Sequence, residues 1–290
     1  MQHFAAHARP PEILFQDWRE ALRLWETLLG LGPVQALVLM PDHVHLLTRE
    51  LDFGTWSHAL RGFARWRNHR RGESGRQVWL TLGSPEEIQD AKHLRRTHRY
   101  IALNPCRDGL VADPLAWPFS THRDSVGLAV PGVVTVERDP AGWHAYVSAD
   151  PSVHVDGTDL PAGLRGLRSA SPEQVEEAIS ALTRTLHADL GVRGSNRKLL
   201  VQGLLGCAHL SERAVARRLG LSHTAIQKTP PLAAGTHSRI ERVLGDPRFA
   251  ALHDQDLSQQ RAFRRYREGR ERRGAYAALL EHERRRVPQR

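Results

Sequence analysis

Two short segments carry side chains whose types and spacing could do chemistry. In Leu39-Met40-Pro41-Asp42-His43-Val44-His45-Leu46-Leu47, one apolar residue separates two histidines. On a β-strand, residues two apart share a face, so His43 and His45 project together while Val44 and Leu46 face the other way. Two adjacent imidazoles make half of a divalent-metal site. In a chain with 17 histidines, the pair also reads as two solvated rings on an exposed strand face. The second segment is His98-Arg99-Tyr100-Ile101-Ala102-Leu103-Asn104-Pro105. Tyr100 and Asn104 are four residues apart and therefore neighbours on one helix face. The residue before a proline is biased away from helical geometry, so the spacing predicts a helix end near Asn104. An amide oxygen there could be a third ligand beside two histidines, with the phenol one turn earlier. Tyr100 reads equally as a packing residue and Asn104 as a cap.

The elements around these segments follow from periodicity. Residues 3–9 read as a short strand, and 17–29 as a helix with Asp17 as N-cap and Gly30 as stop. Residues 34–39 and 43–48 read as two strands across the Met40-Pro41-Asp42 turn. A helix over 55–70, a strand over 77–81 and a long helix over 84–103, entered through a Ser-Pro-Glu-Glu cap, complete the set. The order βαββαβα predicts an α+β fold, an antiparallel ferredoxin-like sandwich. Residues 127–165 are rich in Gly, Pro and Asp and read as a connection. Beyond about Ser171 the chain reads as all helix. The expected domains are 1–126, a connection over 127–165, and a helical domain over 166–290.

Composition narrows the classes. The chain has 290 residues, 40% hydrophobic and 25% charged, which is ordinary for globular proteins and fits two domains. Apolar runs such as 36–40 and 275–280 are far short of the roughly 18 residues a membrane span needs. The N-terminus carries no apolar signal-peptide core, which predicts a cytoplasmic protein. Two cysteines, Cys106 and Cys207, give neither a disulfide framework nor a four-cysteine zinc site. The lack of a suitable Cys pair or of His-Glu-x-x-His removes zinc deaminase and protease readings. The formal net charge of +9 suggests a polyanionic partner. Residues 61–71 carry five Arg and no acid, and residues 259–290 carry 11 Arg against 4 Glu, a local balance of +7.

Taken together, Met-Pro-Asp-His-Val-His-Leu-Leu and Tyr-Ile-Ala-Leu-Asn-Pro-Cys-Arg-Asp-Gly-Leu-Val resemble the REP-associated tyrosine transposases, single-tyrosine members of the HUH endonucleases. The resemblance continues into Ala112-Asp113-Pro114-Leu115-Ala116-Trp117-Pro118-Phe119-Ser120 and covers roughly residues 1–125. It implies His43 and His45 as metal ligands, Asn104 as the third and Tyr100 as the nucleophile, with Mg²⁺ or Mn²⁺ as cofactor. In such enzymes the metal polarises the scissile phosphate of hairpin-forming single-stranded DNA. The tyrosine attacks, leaving a 5′-phosphotyrosine link and a free 3′-hydroxyl. The link keeps the phosphodiester's energy, so strand transfer needs no nucleotide cofactor. The histidines must be neutral to bind metal, which predicts loss of activity below about pH 6. The resemblance also implies a bacterial, nucleoid-associated monomer or homodimer. The chain departs from the family at Val78-Trp79-Leu80-Thr81-Leu82-Gly83, where an Arg-aromatic pair is missing. Tyr146, Tyr266 and Tyr276 fall outside the expected domain, which leaves Tyr100 as its one candidate nucleophile.

Two further surfaces read as DNA contacts. Arg61, Arg65, Arg67, Arg70 and Arg71 could track a phosphate backbone, with Trp66 available for stacking; the alternative is a solvated basic face over a buried aromatic stripe. Residues 208–228 read as a helix-turn-helix and resemble the DnaA-like or Trp-repressor-like module. Gly220 supplies the turn and Ser222 caps a second helix whose His223, Thr224 and Gln227 could reach base edges, with Lys228 adding a phosphate contact. The Arg-rich tail adds to this surface or forms a solvated helix. The leading expectation is a DNA-nicking transposase that also binds duplex DNA. A non-catalytic DNA-binding regulator is the alternative, and a metal-dependent hydrolase without covalent chemistry is a third.

Overall fold

The computed structural model describes residues 1–163, 169–191, 194–233 and 235–286, without the side chains of Thr81 and of residues 274–286. The chain forms two compact units, Met1–Val111 with Asp256–Arg290, and Ala112–Gln255.

The first unit mixes helices with an antiparallel sheet. Its elements are β1 (Gln2–Ala8), α1 (Trp18–Leu29), β2 (Val34–Leu39), β3 (His43–Thr48), α2 (Phe53–Arg71), β4 (Trp79–Leu82), β5 (Glu86–Glu87) and α3 (Ala91–Arg107). The strands run in the order β2-β3-β1-β4, with β5 also paired to β1. The register sets His7 opposite His43 and Ala5 opposite His45. Helix α1 starts as the sequence predicts, with Asp17 accepting from the Glu20 amide. Helix α2 is capped by Asp52 and closed by Gly72 at φ 69°, a left-handed position that glycine takes without Cβ strain. The Trp79 indole of β4 donates to the Leu60 carbonyl of α2 at 2.8 Å. Phe4 packs against Trp56 in the core.

Two expectations about α3 need correction. Residues 84–90 are not helical: β5 lies there, and Asp90, not Ser84, caps the helix by accepting from the His93 amide at 2.6 Å. The helix also runs through Pro105 to Arg107. Proline removes one backbone donor but keeps a helical φ, and this one lies in the last turn, where Ile101–Cys106 are all buried.

The second unit holds α4 (His122–Ser125), α5 (Pro140–Ser148), α6 (Pro172–Thr183), α7 (Gly194–Gly206), α8 (Glu212–Leu219), α9 (His223–Gln227) and α10 (Thr236–Val243). Among its described residues there is no strand, only a bridge between Leu186 and Leu252. Leu115, Val126 and Leu128 pack with Ile179 of α6 and Leu204 of α7 in one core. The expected boundary at 126 and the loose connection over 127–165 are therefore displaced. The second unit begins at Ala112, and Asp139 with Pro140 starts a helix inside the Gly/Pro-rich stretch. Arg123 is buried in this unit and donates to the carbonyls of Leu115 and Ala181. The expected assignment of the tail is corrected too. Helix α11 (Arg261–Arg286) belongs to the first unit, where Phe263 and Tyr266 are buried and Phe263 meets Phe15.

Candidate active site

The His-x-His pair lies on β3, and both residues are buried. Their ring centroids are 5.0 Å apart. The reading of two solvated rings fails, because one face of the sheet here collects four imidazoles. His7 stacks on His43 at 5.1 Å, and His3 Nε2 lies 3.0 Å from His45 Nδ1. Sequence reasoning missed His3 and His7. The signal was present in their even spacing within a predicted strand, which puts both on one face.

Helix α3 brings the other two residues. Tyr100 is 39% exposed, and its ring meets that of His45 edge-on at 5.2 Å. Asn104 is buried, and its Nδ2 donates to the Tyr100 carbonyl at 2.9 Å. That bond fixes the amide orientation and leaves Oδ1 facing His43 Nε2 at 3.3 Å. Of the residues expected to act together, the structure joins all four: His43, His45, Tyr100 and Asn104.

The other nitrogen of His43 sets its tautomer. Nδ1 lies 2.7 Å from Asp42 Oδ1 and donates to that carboxylate. Nε2 then presents a lone pair toward the lone pairs of Asn104 Oδ1. Two acceptors facing each other across 3.3 Å are repulsive unless a cation lies between them or a proton is added. His45 Nε2 is likewise buried with no hydrogen-bond partner. Burial holds the His43 pKa below its ordinary value of 6.5, and burial followed by the charges of His43, His3 and His7 holds His45 well below it. Two neutral imidazoles and an amide oxygen, with carboxylate support behind one ring, suit a divalent ion. Among the described residues no three His, Cys, Asp or Glu side chains form a metal site, so the donor set needs the Asn104 amide.

A groove of about 680 Å³ opens beside this cluster, lined among others by His3, His45, Glu86, His93, Arg96 and Tyr100. Tyr266 proves to belong to this unit as well, but its phenol is buried and donates to Asp42, and burial raises its pKa. Tyr100 remains the one exposed phenol at the cluster among the described residues.

The arginines of α2 divide. Arg61 and Arg65 are exposed, and Trp66 is half-buried, with the guanidinium groups of Arg23 and Arg70 within 6.0 Å of its ring. Arg67, 1% exposed, donates to Glu12 at 2.9 Å and to the Ile13 carbonyl at 2.7 Å. Arg71 pairs with Glu20 at 2.6 Å, and Arg70 with Asp17 at 2.6 Å. Arg67 and Arg71 are thus structural cations and cannot track a DNA backbone. Arg70 is committed to Asp17, although part of its side chain reaches the surface.

In the second unit, Ser211 caps α8, Gly220 ends it at φ 63°, and Ser222 caps α9 by accepting from the Ala225 amide. His223, Thr224, Gln227 and Lys228 are exposed. His223 Nε2 lies 2.9 Å from a Glu212 carboxylate oxygen.

No family model matches the chain, and no curated protein matches it. A solved structure of a REP-associated tyrosine transposase bound to a REP hairpin is similar to 54% of this chain and 92% of its own, at 21% identity and a TM-score of 0.36. A likeness that weak carries no functional conclusion. No helix among the described residues is long and apolar enough to cross a membrane.

Proposed function

We propose that the chain is a metal-dependent endonuclease and transposase acting on single-stranded DNA. It would cleave and rejoin hairpin-forming repeats through a 5′-phosphotyrosine link. The observation that carries this reading is the meeting of His43 and His45 on β3 with Asn104 on α3, with Tyr100 exposed at their edge. The motif resemblance and the strand order, which suits a ferredoxin-like sheet, support it.

In this reading His43 Nε2, His45 Nε2 and Asn104 Oδ1 would hold Mg²⁺ or Mn²⁺. The ion, when bound, supplies charge neutralisation at the scissile phosphate. Asp42 keeps the proton of His43 on Nδ1, and His3 holds His45 by its Nδ1, so both Nε2 lone pairs are left for the ion. Tyr100 Oη, exposed to solvent, would attack phosphorus and give its proton to water, which returns one to the leaving oxygen. The bond from phosphorus to the 3′-oxygen breaks, and that oxygen takes up a proton as the free hydroxyl. Exposed Arg61, Arg65 and Trp66 would hold the flanking strand. In the second unit, His223, Thr224, Gln227 and Lys228 would contact duplex DNA as a helix-turn-helix.

The test mixes the full chain, Mn²⁺ and labelled hairpin oligonucleotides from the flanks of its own gene, and reads denaturing gels. A protein–DNA adduct that disappears in Tyr100→Phe is the expected result. Cleavage without an adduct, unchanged by the substitution, would move the case to metal-dependent hydrolysis. Binding to several hairpins with neither product would make the protein a regulator.

A further inference from the structure

Asp42 stands at the turn between β2 and β3, directly before His43, and is 5% exposed. Three donors converge on its carboxylate. His43 Nδ1 donates to Oδ1 at 2.7 Å, the Tyr266 hydroxyl donates to the same oxygen, and the Arg270 guanidinium pairs with Oδ2. Arg270 also donates to the Ala8 carbonyl at the end of β1, at 2.6 Å. Tyr266 and Arg270 are four residues apart on α11 and so share a face. Phe263, one turn earlier, anchors that face against Phe15. The start of the segment is tied down separately, by the Leu257 amide donating to the Gln16 carbonyl at 2.6 Å.

We infer that Tyr266 and Arg270 are positioning residues for His43: they immobilise the Asp42 carboxylate, which in turn fixes the tautomer and aim of the His43 ring. That His43 holds a metal rests on the function proposed above. A buried carboxylate is costly unless its charge and lone pairs are matched, and Arg270 and Tyr266 supply both. With those two donors seated, the oxygen facing His43 has one place left for a donor, and Nδ1–H fills it. The His43 Nε2 lone pair then faces Asn104. With the two donors removed, the carboxylate is free to rotate or hydrate, and neither ring nitrogen is preferred. The end of the chain thereby completes a site whose other members lie more than 150 residues earlier.

The test uses the full chain labelled with ¹⁵N-histidine, metal-free at pH 7.5, with the His43 signals assigned by His43→Gln. The variants are Tyr266→Phe, which keeps the buried ring, Tyr266→Phe with Arg270→Gln, and Phe263→Leu as a loosened-helix control. Long-range ¹H–¹⁵N spectra should show His43 as the Nδ1–H tautomer in the wild type and in Phe263→Leu, and as a mixture in the other two. Mn²⁺ affinity by calorimetry should fall about tenfold in Tyr266→Phe and further in the double variant. An unchanged tautomer in the double variant overturns the proposal. So does a changed tautomer with wild-type Mn²⁺ affinity, because the carboxylate would then not govern the ligand. If the spectra behave as expected and even the wild type binds no Mn²⁺, the positioning role stands and the metal reading falls.

Discussion

Burial keeps His43 and His45 neutral under conditions that would half-protonate a free imidazole, with lowered pKa values for both. The neutral ring is the ligand, so a lowered pKa extends metal binding toward acid. Mn²⁺ affinity should therefore decline at lower pH than the limb, centred near pH 6.5, that two solvated histidines would give. Calorimetric titrations at half-unit steps check this, and a decline centred on pH 6.5 would contradict it. His3 is open to a separate test. Its Nε2 meets His45 Nδ1 at 3.0 Å, and its Nδ1 lies 3.5 Å from Glu86. His3→Phe keeps a ring in the strand but removes the nitrogen that orients His45. About a tenfold loss of Mn²⁺ affinity is expected, with the melting temperature little changed; equal affinity in the two proteins would show that His45 needs no such partner. His43, His45, Tyr100 and Asn104 were legible because each pair obeys a local period of two or four residues. His3 and His7 obeyed a period too, but only the strand pairing shows that their face is the same as that of His43 and His45. Tyr266 and Arg270 were not legible, because no local rule links α11 to the β2–β3 turn.

Helix α2 shows how a charge run can be read correctly in shape and wrongly in use. Its spacing predicts a helix, and a helix forms. A run of arginines without acids nearby suggests a free basic face, yet the acids that claim Arg67 and Arg71 come from Glu12 and Glu20, more than 50 positions earlier. Removing one member of a buried ion pair leaves the other charge uncompensated. Arg67→Ala should therefore cost about 3–5 kcal/mol, read as a shift of the urea midpoint. Arg61→Ala and Arg65→Ala should each stay within about 0.5 kcal/mol of wild type. If they face the DNA, each should also lower the salt dependence of single-strand binding by about 0.7 in the log–log slope. Stability unaffected by Arg67→Ala, or slopes equal to wild type in both surface variants, would reverse this division. In α3 the local signals competed. The Ser-Pro-Glu-Glu cap lost to β5 pairing with β1, and the proline stop lost to a last turn whose residues Ile101–Cys106 are buried.

Across the whole molecule, composition misplaced the boundaries because glycine and proline mark turns without saying whether the turns are packed. Residues 127–165 read as a connection and Val126 as the end of the first domain, but Val126 and Leu128 are fully buried in the core of the second unit. That core also encloses His122, whose Nε2 lies 2.9 Å from His144 Nδ1 and whose pKa is lowered to about 3 by burial and then by the charge of His144. A titratable ring held neutral inside a fold makes stability depend on pH, with a definite sign. Below 6.5 the unfolded chain takes up a proton at this position that the folded chain refuses until about pH 3. Stability contributed by the neutral ring is therefore complete above 6.5 and is lost as the pH falls, with a slope approaching about 1.4 kcal/mol per pH unit from this one residue. Carboxylates titrate in the lower part of the same range, so the informative quantity is the difference between wild type and His122→Gln. Hydrogen exchange of the α6 amides at pH 6.5, 5.5 and 4.5 reads the opening free energy of this unit by itself. The variant should begin less stable and lose less per pH unit, so that the two lines converge toward acid. Parallel lines would mean that His122 is protonated in the folded unit after all, and that the pair with His144 is a charged contact instead of a neutral one.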